Sequence, residues 1–312
     1  MLRIPGSSPN DPGILRARRR YGERVVIGIL FCCAALSVAV TVGIVLSLIP
    51  PTLEFFREVG IFAFLTGTDW APLFVPAKFG VLPIVMGTIV VTICAISVAV
   101  PFGLGTAIYL SEYARPRVRK LLKPLIELLA GIPTVIYGYF ALKFISPFVQ
   151  NLWPVGDSPG VFNALSAGLV MGIMILPMVA SLSEDALSAV PHGLREGAYA
   201  LGSSKFEVST RVSVPAALSG IVAAFVLAVS RAVGETMIVL IAAGGTPNMS
   251  LNPGEAMQTM TAFIAAAGTG DLPQGSTGYK TIFAVGSLLF VATFMMNVFS
   301  NRIVLKYREV YE

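Results

Sequence analysis

Six runs of apolar residues, each nearly free of charge, constrain this chain more than any other feature. They cover residues 25–49, 81–110, 124–148, 162–182, 216–243 and 281–300. A helix needs about 20 apolar residues to cross a hydrocarbon core about 30 Å thick. The spacing therefore predicts an all-α integral membrane protein with six transmembrane helices.

Composition agrees. Of 312 residues, 55% are hydrophobic and 12% charged, and the mean hydropathy is +0.79. A soluble domain would carry roughly twice that share of charge. The first run is too long for the apolar part of a signal peptide and follows a basic segment at 1–24, so it is expected to be retained. The cysteines, Cys32, Cys33 and Cys94, all lie in apolar runs without metal-ligand spacing and read as packing residues. His192 has no Cys or second His near it in the sequence.

Charge counting orients the spans. Seventeen Lys and Arg fall in the N-terminal tail, the segments after the second and fourth spans, and the C-terminal tail; three, Arg57, Lys78 and Lys280, fall on the other side. Basic residues stay inside, so both termini and the 183–215 segment are expected in the cytoplasm. The net charge of +5 needs no nucleic-acid partner to explain it. The domains expected are a disordered cytoplasmic tail (1–24), a first helix with an outer amphipathic segment (25–80), a five-helix core with a cytoplasmic loop at 183–215 (81–300), and a cytoplasmic tail (301–312). In the outer segment, Phe55, Phe56, Phe62, Phe64 and Trp70 read as an interfacial aromatic belt. The apolar stretch 257–267 is too short to span and should lie at the interface or dip partway in.

Several spans carry helix breakers: Pro101, Gly103 and Gly105, then Gly131, Pro133 and Gly138, then Pro177. Broken helices suit a transport pathway, and they also occur in ordinary bundles. In the 183–215 segment Pro191 can open a short helix and Gly202 can end it. Leu194, Ala198 and Leu201 then share one face. Such a helix can dock in a partner's groove or simply be a solvated connection.

The segment reads Glu196-Gly197-Ala198, three residues, Gly202, nine residues, then Val212, Ser213, Val214 and Pro215. This resembles the EAA signature of ABC importer permeases. The resemblance implies a type I importer permease fold and a coupling helix, Glu196 to about Ser204, resting on a separate ATPase. The ATPase-coupling residues it implies are Glu196, Gly197, Ala198, Leu201, Gly202, Ser204 and Pro215. Gly197 stands where the signature has Ala and should loosen the helix slightly. The stretches Gly131-Ile-Pro-Thr-Val-Ile-Tyr-Gly138 and Arg231-Ala-Val-Gly-Glu-Thr-Met237 resemble those of phosphate permeases of the PstC type. That resemblance covers about residues 72–307. It implies a PstA-type second permease, two copies of a PstB-type ATPase holding ATP and magnesium, an external PstS-type binding protein, and a multi-pass position in the cell membrane.

Arg231 and Glu235 are ionisable residues in an apolar run, each costing about 2.5–3.5 kcal/mol at the bilayer centre. In a continuous helix they lie on one face and can pair. One reading places Arg231 on the pathway, its planar fork meeting a tetrahedral oxyanion, with Glu235 orienting it and Thr236 adding a hydroxyl. The other is an ion pair locking a subunit interface. Thr134 and Tyr137 line the pathway or pack in the core. Glu127, near the cytoplasmic end of the third span, reads as snorkelling or capping, and Lys143, near the outer end, as snorkelling.

No Gly-x4-Gly-Lys-Ser/Thr loop is present, so the chain is expected to bind no cofactor and to act as a transport subunit, not an enzyme. A permease for sulfate, molybdate or tungstate is the alternative. An ATP-independent channel or membrane enzyme is more remote: a channel has no use for the Glu196 segment, and the spans hold no hydrolase constellation.

Overall fold

The computed structural model describes residues 21–153 and 158–306. Most of the tail expected at 1–24, and the end of that at 301–312, lie outside them. The chain divides into two units after Ile49. The first unit holds most of α1 (Tyr21–Glu58), whose apolar side chains, among them Leu30, Phe31 and Leu36, are exposed on the isolated chain. A helix apolar all round suits lipid. Instead of stopping at Ile49 it runs through Pro50 and Pro51 to Glu58. A proline removes only its own N–H, and in lipid the local ladder adjusts around it.

In the second unit, α2 (Ile61–Thr66) leads to a small antiparallel hairpin, β1 (Trp70–Ala71) and β2 (Lys78–Phe79), with Trp70 opposite Phe79. The expected aromatic belt is largely an aromatic core. Phe55, Phe64 and Trp70 are buried, and of those five rings only Phe62 stays far out. Rings meet edge-on, Phe55 to Phe64 at 5.5 Å and Trp70 to Phe263 at 4.8 Å. Edge-to-face packing of large rings outweighs leaving them at an interface.

Two long helices form the centre, α3 (Leu82–Ile108) and α7 (Ala164–Ser188), running in the same direction. Gly168 and Gly172 of α7 press against Cys94 and Ala95 of α3, and Gly103 of α3 against Val179. A Cβ at Gly172 would lie 2.7 Å from the Ala95 carbonyl, so only glycine allows this approach. Pro101 and Pro177 leave both helices unbroken.

The expected third span is not one straight helix. α4 (Pro116–Ala130) ends at Gly131, and α5 (Thr134–Phe140) starts after Pro133, turned by 86° with the stretch to Leu152. A π-turn, Ala141–Ile145, then leads to α6 (Ser146–Leu152). The Tyr137 hydroxyl donates to the Leu129 carbonyl at 2.8 Å, tying α5 back to the end of α4 across the bend. Past α7 come α8 (His192–Ala200), α9 (Lys205–Val208), a π-turn (Ser209–Ser213) and α10 (Val214–Ala216). α11 (Leu218–Val233) follows at 72° to the Lys205–Ala216 stretch. The expected fifth span at 216–243 is interrupted: α11 stops at Val233, and α12 (Met237–Ala242) begins after a gap of three residues. The 257–267 stretch forms the short helix α13 (Met260–Gly268), and α14 (Thr277–Lys306) ends the described chain. Among the described residues four helices are long and apolar enough to cross a membrane, or up to six if each bent pair is one span.

Candidate functional site

The first candidate region lies past the C-terminal end of α7. Pro191 opens α8, and Gly202 closes it at φ +85°, where a side chain would strain the backbone. No residue of α8 is buried. Glu196, Gly197 and Ser204 are exposed, Ala198 is half-buried, and Leu201 is 88% exposed. On the face that carries Leu194, Ala198 and Leu201, the described residues leave the two leucines exposed. Ser204 caps α9, its hydroxyl accepting from Glu207 N–H while Glu207 accepts from Ser204 N–H. Pro215 lies in α10 and is exposed. Beneath α8, Ala107, Leu187, Val190, Ala217 and Ile221 form a small apolar cluster joining α3, α7 and α11.

One charged side chain of α8 points inward. Arg195 donates to the Leu187 carbonyl at 2.6 Å and pairs with Glu112 at 3.2 Å. Nearby, Glu184 is fully buried and held by Arg119, by Lys123 at 2.7 Å and by the Ser188 hydroxyl at 2.8 Å. Sequence reasoning missed both sites. Arg119 and Lys123 stand four apart on α4, as Glu184 and Ser188 do on α7, a complementary pair of one-face patterns that was open to view.

The second region is the break between α11 and α12. The expected Arg231–Glu235 pair does not form, because the helix that would place them on one face ends at Val233. Glu235 instead accepts the N–H groups of Met237 at 3.0 Å and Ile238 at 3.3 Å, capping α12. Arg231 is exposed, and its closest polar partner is the Met174 sulfur at 3.4 Å. Thr236 is half-buried, with its hydroxyl 3.3 Å from the Gly234 carbonyl. The Thr261 hydroxyl donates to the Glu235 carbonyl at 2.6 Å. Thr88, Thr92, Thr259 and Thr261 line one recess with Glu235. Sequence reasoning did not bring these hydroxyls together, although Thr88 and Thr92 stand four apart in an apolar run.

The third-span motif comes against this break. Gly138 packs on α12, where a Cβ would lie 3.0 Å from Ile241 and 3.2 Å from the Met237 carbonyl. Tyr137 is buried in the main core cluster, and Thr134 is half-buried at the start of α5. Glu127 accepts from the Ser181 hydroxyl at 3.3 Å, and Lys143 lies 5.8 Å from the Tyr139 ring.

Residues 99–305 match the family described as "Binding-protein-dependent transport system inner membrane component". A probable ABC transporter permease protein, YqgH, of Bacillus subtilis is 36% identical over 86% of both chains. The phosphate transport system permease protein PstC of Mesorhizobium japonicum is 36% identical over 81% of both. Among solved structures, a bacterial alginate ABC transporter chain superposes with a TM-score of 0.63, covering 91% of this chain and 96% of that one at 14% identity. A chain of the MetNI methionine ABC transporter, in inward-facing conformations, gives 0.53 over 73% and 94% at 18% identity. These two structures bear on the fold alone. By the family match and by these relatives, the chain belongs to the binding-protein-dependent transport system inner membrane components.

Proposed function

We propose that this chain is the transmembrane subunit of an ATP-driven inorganic phosphate importer, forming half of the translocation pathway. The observation that carries the reading is α8: a short helix with no residue buried, bearing Glu196, Gly197 and Ala198, in a chain of a binding-protein-dependent transport family. An uncovered face of small and charged residues suits a groove on a separate ATPase, with Leu201, Gly202 and Ser204 completing the contact and Pro215 leading back to the membrane. Relatives named as phosphate permeases support the cargo. The chain is a transport subunit and not an enzyme, and ATP and magnesium belong to the ATPase.

Counting each bent pair once supports six spans, and the Lys and Arg distribution supports placing both termini and α8 in the cytoplasm. The four-part division at 24, 80 and 300 follows the same orientation. The partners are a PstA-type permease, two PstB-type ATPases and an external PstS-type binding protein. At the break between α11 and α12, Arg231 has no carboxylate partner among the described residues and offers its fork to an oxyanion. Glu235 and Thr236 shape the break, and Thr134 and Tyr137 support it from α5.

The test is labelled-phosphate uptake by the reconstituted complex. Uptake should require ATP and persist with sulfate or molybdate at equal concentration. Block by equal sulfate would overturn the phosphate assignment.

A further inference from the structure

Arg195 is the one inward charge of α8, with a side chain only 12% exposed, and its partner Glu112 is 4% exposed. No other ionisable side chain pairs with either among the described residues. Arg195 Nε is buried with no hydrogen-bond partner, and Glu112 Oε1, 3.2 Å from the guanidinium, accepts no hydrogen bond of good geometry. A second contact ties the same place down: Lys205 Nζ, just past α8, sits 5.1 Å from the Tyr113 ring.

Buried ion pairs are poor stabilisers, since desolvation offsets the attraction, and well-packed apolar residues hold a joint as firmly. What a lone buried pair supplies is a fixed register between two elements. Here it fixes α8 to the end of α3. Glu112 and Tyr113 lie in a π-turn, Tyr109–Tyr113, that continues α3 directly. From there α3 runs unbroken to Thr92 and Thr88, which share a recess with Glu235 at the α11–α12 break. The twenty residues from Thr92 to Glu112 span about 30 Å. A displacement of α8 therefore reaches the break along one continuous helical run packed on α7.

We propose that the Arg195–Glu112 pair is the strut through which α8 moves α3, making both positioning residues for coupling. This rests on the reading of α8 as the ATPase contact. Displacing α8 would draw Glu112 with it, shift Thr88 and Thr92 against Glu235, and so change the break that Arg231 flanks.

The test uses the full complex with both permeases, ATPase and binding protein. The double variant Glu112→Met with Arg195→Met removes both charges and keeps the packing, so no unpaired charge is left to unfold it. ATPase retention, ATP hydrolysis and labelled-phosphate uptake are read together. The expected result is retained ATPase, hydrolysis within about twofold of the parent, and phosphate moved per ATP lower by about tenfold. The reversed pair, Glu112→Arg with Arg195→Glu, should recover much of that ratio. An unchanged ratio in the double Met variant would overturn the strut, as would a reversed pair that assembles and recovers nothing. A parent complex that retains no ATPase would overturn the reading of α8 itself, and the strut with it.

Discussion

Arg231 shows how far a single side chain depends on the backbone around it. Had α11 continued, its neighbour four residues on would be Glu235. The helix stops at Val233, Glu235 turns to cap α12, and the guanidinium is left with a methionine sulfur. A hydrogen bond to a charged group contributes about 1.5–3 kcal/mol, so losing contacts to a bound oxyanion should slow transport by roughly tenfold or more. Arg231→Gln is expected to do this in a complex of normal composition, measured as initial uptake rate. Full uptake would remove Arg231 from the pathway. The ionisable residues at 231 and 235 were visible in the sequence as costly in lipid, but their partners were not. Gly234 lowers the cost of ending a helix without requiring the end, and packing against α5 and α13 decides it.

At the scale of elements, glycines separate close joints from open surfaces. Gly138 sits between α5 and α12, whereas Gly197 of α8 has nothing within 4 Å of where its Cβ would be. Gly138→Leu forces a branched side chain onto Ile241 and the Met237 carbonyl, and overpacking of this kind costs about 1–3 kcal/mol. Gly197→Ala adds about 1 kcal/mol of helix propensity with no clash. In detergent, the first should lower the thermal unfolding midpoint, and the second should leave it unchanged or raise it. The reverse order would contradict the packing described. The long elements were legible because α3, α7 and α14 need only apolar length, and α8 because Pro191 and Gly202 punctuate it. The bends were not. Pro101, Pro177 and Pro133 look alike in sequence, yet the first two sit within helices locked together by Gly103, Gly168 and Gly172. Pro133 has Gly131 beside it and no such clamp. The packing of the rings from Phe55 to Trp70 was not legible for a related reason: composition shows that rings are present, and only the fold shows that Phe263 of α13 closes over Trp70.

For the whole molecule, α7 joins two regions that differ in kind. At its start, Asn163, Ala164 and Leu165 donate backbone N–H groups to Ala242, Glu255 and Pro253, fixing the loop around 242–255. At its end, α8 stands with its apolar edge uncovered, tied inward by Arg195. On the proposed function, the α8 end meets an ATPase and the loop end does not. Site-directed cross-linking tests this most directly. Cys32, Cys33 and Cys94 are first replaced. A single cysteine is then placed at Tyr199, which is exposed on α8, or at Leu251, exposed in the loop. In the assembled complex, Tyr199→Cys should form a cross-link to the ATPase subunit and Leu251→Cys should not. A cross-link from Leu251→Cys alone would overturn the assignment of α8 as the ATPase contact.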